Sequence, residues 1–143
     1  MKEEGSAGTP VHREVRGSEV RLSAGNCVFV YRRIRPGALG VVITGLDNGQ
    51  FGTTTLDEIR AEIGRNRPIE LFVDAREAVG AAVSVSDEWT RFFSAHREDL
   101  KRVHVLVGSK VVYLTVAIAQ HLSRTGNLIQ IYSDPGTFEA KAG

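Results

Sequence analysis

Residues Ile69 to Phe93 constrain the fold more than any other stretch. They open with Ile69-Glu70-Leu71-Phe72-Val73-Asp74-Ala75, a short and nearly continuous apolar run behind Pro68. A strand buried on both faces has this character. They close with Trp89, Phe92 and Phe93 at i, i+3 and i+4, one face of a helix that runs to about Glu98. The small residues between, with Ser84 and Ser86, read as a loop. Ser86 is a natural N-cap, because Asp87 and Glu88 follow it into the first turn.

The rest of the chain repeats this alternation. Glu19–Ser23 reads as a short edge strand. Cys27–Ile34 alternates with β-branched and aromatic residues, and Arg35-Pro36-Gly37 turns it back into a strand over Leu39–Thr44. Gly45–Phe51 is a loop. Thr55-Leu56-Asp57-Glu58 fits a capping box, and Leu56, Ile59 and Ile63 form the stripe of the helix that follows. Val103–Val107 is a second buried strand. Gly108-Ser109-Lys110 leads into an apolar helix through Leu122, and Leu128–Tyr132 is the last strand. Asp134-Pro135 opens a short terminal helix, with Asp as cap and Pro at the first position. A hairpin followed by alternating helices and strands predicts an α/β fold, a mostly parallel sheet with helices on its faces. Residues 1–18 are polar and without period, so they read as a flexible tail to a single domain over 19–143.

Composition removes several classes of function. A net charge of +1 leaves no footprint for nucleic acid or an acidic membrane. No apolar run reaches the roughly 18–20 residues of a membrane span. The amino terminus has no signal-peptide core, and Cys27 is the single cysteine, which suits a reducing cytoplasm. The four histidines (His12, His96, His104 and His121) have no paired ligand spacing, so no metal or other cofactor is expected.

Few residues advertise chemistry. No nucleophile-elbow, dinucleotide or P-loop pattern is present. Asp74 stands at the expected carboxyl end of the central strand, where open α/β sheets bind ligands. Ser109 and Lys110 place a hydroxyl and an ammonium at a helix start, a generic anion contact. The pattern points away from an enzyme. On the Lys110–Leu122 helix, Val111, Leu114, Ile118 and Leu122 form one apolar flank, expected to cover the sheet. Val112 and Val116 continue the apolar arc. They are expected to meet a neighbouring helix, or a second subunit in a homodimer. Trp89 is expected in the core.

Leu71-Phe72-Val73-Asp74-Ala75-Arg76, the Trp89 helix with His96 near its end, His104-Val105-Leu106-Val107-Gly108, and Ile129-Gln130-Ile131-Tyr132 before a short helix come in a telling order. Over roughly Cys27 to Ala142 this order resembles the STAS fold, most closely its bacterial SpoIIAA-like branch. The resemblance implies a non-catalytic regulatory module that docks a protein partner. In some members a serine after the central strand is a phosphorylation switch, and its nearest counterparts are Ser84 and Ser86. The usual Asp-Ser-Ser-Gly motif is replaced by Val83-Ser84-Val85-Ser86-Asp87. The branch also resembles the lipid-carrying CRAL-TRIO domains, which implies, as an alternative, a small hydrophobic ligand carried near the Trp89 helix.

Overall fold

A computed structural model describes residues 10–143. Seven strands form one sheet in chain order: β1 (His12–Arg16), β2 (Glu19–Ala24), β3 (Cys27–Arg35), β4 (Ala38–Asp47), β5 (Ile69–Ala81), β6 (Leu100–Val107) and β7 (Ile129–Tyr132). The first four pair antiparallel, and β4 through β7 pair parallel. Helices α1 (Thr54–Asn66), α2 (Val83–Ala95) and α3 (Lys110–Ser123) make the three crossovers, and α4 (Pro135–Ala142) ends the chain. The crossovers all step the same way across the sheet, so right-handed connections put their helices on one face.

Alternation along the strands explains the two cores. Leu71 and Val73 on β5, and Val103 and Val105 on β6, share one cluster with Ile59, Phe92, Phe93 and Val112 of the crossover helices. Phe72 and Leu106 point the other way and meet Phe138 of α4. At the β6–α3 turn Gly108 lies against β5, where a Cβ would fall 2.3 Å from the Arg76 carbonyl oxygen. That closeness admits only glycine.

Three local expectations change. The strand His12–Arg16 lies within the stretch expected to be a tail, while residues 1–9 of that stretch lie outside the described residues. All five β1 residues are exposed, so its order comes from the backbone ladder to β2, which leaves no hydrophobic signature. The bidentate pair of Arg13 with Glu58 on α1 adds to it. That pair also takes Glu58 away from the expected capping box; α1 begins at Thr54, with Thr53 at its N-cap. Finally, β5 does not stop near Ala75 but pairs with β4 as far as Asp47 opposite Ala81. The stretch expected as a loop is therefore strand, and α2 starts at Val83 with Ala82, not Ser86, as N-cap.

Truncating the chain to begin at Glu19 removes β1 and bares β2 as a sheet edge. The expected outcome is concentration-dependent aggregation by light scattering, since an open edge pairs with other edges. A monodisperse truncated protein would show that the edge is protected some other way.

Candidate functional site

The long β5 shapes the site. It passes the end of β6, whose pairing stops at Ala75 opposite Val107, and continues beside β4 alone. Helices α2 and α3 pack over the parallel strands but part beside this overhang. The result is an apolar cleft of about 110 Å³. Phe29, Trp89 and Phe93 supply aromatic walls, Val112, Val116 and Ala119 line the α3 side, and Asp47, Ser86 and Thr115 are its polar members. Trp89 is thus a half-buried wall residue, not a fully buried core anchor; Phe92 and Phe93 take that place. Helix α2 turns Trp89 toward the gap because the i+3 and i+4 positions already fill the space against the sheet. Ligand pockets for drug-sized molecules run from roughly 300 to 1,000 Å³. This cleft is too small for a lipid chain and suits a body near the size of benzene, which a dry cavity of about 150 Å³ holds.

The apolar arc of α3 is oriented opposite to the expectation. Val112 and Ala119 are buried and Val116 packs against the core, so Val112 and Val116 are not an external interface. Val111, Leu114, Ile118 and Leu122, expected against the sheet, are 62%, 52%, 57% and 55% exposed. The helix is apolar nearly all round, and packing beside α2 selects its inward flank. Thr115 and Ala119 let it sit close to the cleft, a role that bulkier Leu114 and Ile118 could not take.

The other candidate residues do not converge. Asp74 lies inside β5, next to Ala75 where the pairing with β6 ends, and Arg76 holds its carboxylate at 2.9–3.2 Å. Arg76 also reaches Glu139 of α4 at 3.1 Å. These carboxylates hold the guanidinium firmly in its charged form, its bonds to Asp74 contributing most. Ser109 caps α3 by accepting the Val112 amide at 3.2 Å, and Lys110 is exposed. Neither touches Asp74. Ser84 is exposed on the first turn of α2, whereas Ser86 is half-buried beside the cleft. Cys27 is fully buried, and loss of solvation pushes its thiol up to about 12. It is therefore no nucleophile at neutral pH.

A polar cluster that spacing alone does not reveal lies on the opposite sheet face. Buried His104 meets Glu70 through Nε2 at 2.6 Å and the Tyr132 hydroxyl through Nδ1 at 2.8 Å. Its ring stacks on Phe72 with centroids 4.3 Å apart, and Arg35 pairs with Glu70 at 3.2 Å. Residues 70, 104 and 132 are adjacent only through the register of β5, β6 and β7. Both ring nitrogens are engaged, which satisfies a buried imidazole and fastens the three strands together.

No helix among the described residues is long and apolar enough to cross a membrane. Among the same residues no three His, Cys, Asp or Glu side chains group as a metal site would. No family model and no curated protein matches the sequence. Among solved structures, the chain is similar to an uncharacterised protein of the DUF3478 family, with a SpoIIAA-like fold, from Shewanella loihica PV-4. The match covers 95% of this chain and 94% of that one, at a TM-score of 0.53 and 15% identity. Identity that low speaks for architecture alone, and in its architecture the chain has the SpoIIAA-like α/β fold.

Proposed function

We propose that this domain is a non-catalytic interaction module that docks an amphipathic protein segment on the outer face of α3. The observation that carries this reading is the row Val111, Leu114, Ile118 and Leu122, each more than half exposed. Their spacing of three and four residues is that of the anchors by which helices engage partners. Leaving four large aliphatic side chains in water is unfavourable, by about 25 cal/mol per Å² of apolar surface. Contiguous exposed apolar surface of this kind usually marks an interaction site. The non-catalytic part is supported by how the reactive groups are used. Asp74, His104 and Ser109 are each tied to a structural partner, and Cys27 is buried and protonated.

Charge favours an acidic partner over a second copy. From Lys110 to Arg124 there is no acidic residue, and Lys110, His121 and Arg124 are the titratable nitrogen bases. Two such helices packed antiparallel would set Lys110 of one against Arg124 of the other. A segment with an apolar stripe and acidic flanks would gain where that dimer loses. A membrane-surface helix would carry many more Lys and Arg than this one.

Two labelled amphipathic peptides test this, one flanked by Glu and one by Lys, with binding followed by fluorescence anisotropy. The Glu-flanked peptide is expected to bind more tightly. Ile118→Glu is expected to weaken it at least tenfold with the melting temperature unchanged, because that side chain already faces water. The docking face is wrong if neither peptide binds or if Ile118→Glu has no effect. A wild-type dimer in light scattering that Ile118→Glu splits would assign the face to a second copy. Binding of anionic vesicles in place of peptide would assign it to a membrane.

A further inference from the structure

The α2–α3 cleft holds an unusual carboxylate. Asp47 ends β4 on the helix-covered side of the sheet and is 5% exposed, yet it lines a cavity otherwise almost wholly apolar. Among the described residues its carboxylate has one hydrogen-bond partner, the Gly49 amide at 2.9 Å on Oδ1. No Arg, Lys or His among them makes an ion pair with it, whereas Glu62, the one other buried carboxylate among the described residues, has Arg33. A buried charge without a counter-charge is costly, and a site that keeps one is organised for a group that supplies the missing partner. Loss of solvation raises the carboxyl's proton affinity, the Gly49 amide opposes it, and Glu88 adds a smaller push upward. Phe29, Trp89 and Phe93 line the same cleft. A carboxylate beside aromatic rings is the chemistry that recognises an alkylammonium, by a charge-assisted hydrogen bond and by attraction to the π faces.

We propose that the cleft binds a small apolar amine, with Asp47 taking the ammonium and the aromatic walls enclosing its hydrocarbon part. The cavity of about 110 Å³ limits that part to a few carbons. Ser86, on the α2 wall, supplies a second oxygen to the ammonium, which has three donors to place. This site is separate from the outer face of α3: Ala119 and Val116 line the cleft while Ile118 points away from it.

The chain's single tryptophan, Trp89, lies in the wall, so its emission reports occupancy. The probes are 3-methylbutylamine and its near-isostere 3-methyl-1-butanol. The amine is expected to bind at least tenfold more tightly than the alcohol. Asp47→Asn keeps an oxygen for the Gly49 amide but removes the charge, and is expected to abolish that preference. Ala119→Leu, which fills the cleft and leaves the carboxylate in place, is expected to abolish binding of both. Amide shifts in nitrogen-edited NMR spectra are expected at Gly49, Ser86 and Thr115. Equal binding of amine and alcohol, binding of neither, or a preference that survives in Asp47→Asn overturns the proposal. Should Asp47→Asn fail to fold, the wild-type preference, its loss in Ala119→Leu and the shift map decide the matter. Ile118→Glu is expected to leave amine binding intact, so failure here and failure of the docking face are told apart.

Discussion

Phe92→Ala is expected to lower stability by about 3–5 kcal/mol, the range for emptying a buried aromatic site. Phe92 is 2% exposed and sits between Trp89, Phe93 and His96, with ring centroids 4.7–6.3 Å away. The Arg60 guanidinium of α1 lies 5.3 Å over its ring, so the side chain ties α1 to α2 as well as to the sheet. For a chain of this size the melting temperature should fall by roughly 10 °C or more. Trp89→Ala should cost distinctly less, because Trp89 already borders a cavity. Thermal unfolding of the two variants side by side checks the assignment of faces. A larger loss at Trp89 than at Phe92 would mean that α2 is rotated relative to the arrangement described.

Glu62→Gln is expected to destabilise the domain by about 2 kcal/mol at neutral pH and by progressively less in acid. The Glu62 carboxylate is buried on α1 and accepts two bonds from Arg33 at 2.9 and 3.0 Å, one from Arg65 at 3.0 Å and one from Asn66 at 2.8 Å. Led by the Arg33 bonds and opposed by loss of solvation, this holds its pKa at about 2, against 4.5 for a free side chain. A pKa lowered by folding stabilises the native state above the unfolded value. That stabilisation is lost as pH falls from 4.5 towards 2. The displacement corresponds to roughly 3 kcal/mol at neutral pH, and the half-exposed heads of Arg33 and Arg65 reduce it to about 2. By linkage, less than about half should remain at pH 3. Urea unfolding of both proteins from pH 7 down to pH 3 measures this. A gap between them that stays constant with pH would rule out the ion cluster as its source.

The same cluster illustrates what a linear reading misses. Arg33 is on β3 and Glu62 on α1, 29 residues apart, and no spacing rule connects them. The Glu70–His104–Tyr132 cluster depends likewise on strand register. Sequence spacing finds groups that share one helix or one strand, such as Trp89, Phe92 and Phe93. It has no purchase on side chains that meet only after three strands align.

Asp74 and the expected loop after it went wrong for a related reason. Glu77-Ala78-Val79-Gly80-Ala81 has weak strand propensity, with Gly and Ala where β-branched residues would be expected. Its strand conformation comes from a neighbour, since β4 supplies the ladder up to Asp47. That extension moved Asp74 into the strand interior, made the cleft, and brought Asp47 to it. Asp47 carried no local signal, being one acidic residue in a Gly/Asn/Asp stretch.

Beyond the resemblance that implied a SpoIIAA-like architecture, what the sequence by itself determined is the order of the elements from β2 onward and the parallel half of the sheet. Those follow from local periodicity: near-continuous apolar runs at Ile69–Ala75 and Val103–Val107, and helical stripes between them. Tertiary structure alone decided where β5 ends, that β1 pairs at the edge, and which flank of α3 faces inward. An extended segment takes its hydrogen-bond partners from other strands, and a helix apolar on nearly every side has no preferred inner face until its neighbours pack against it.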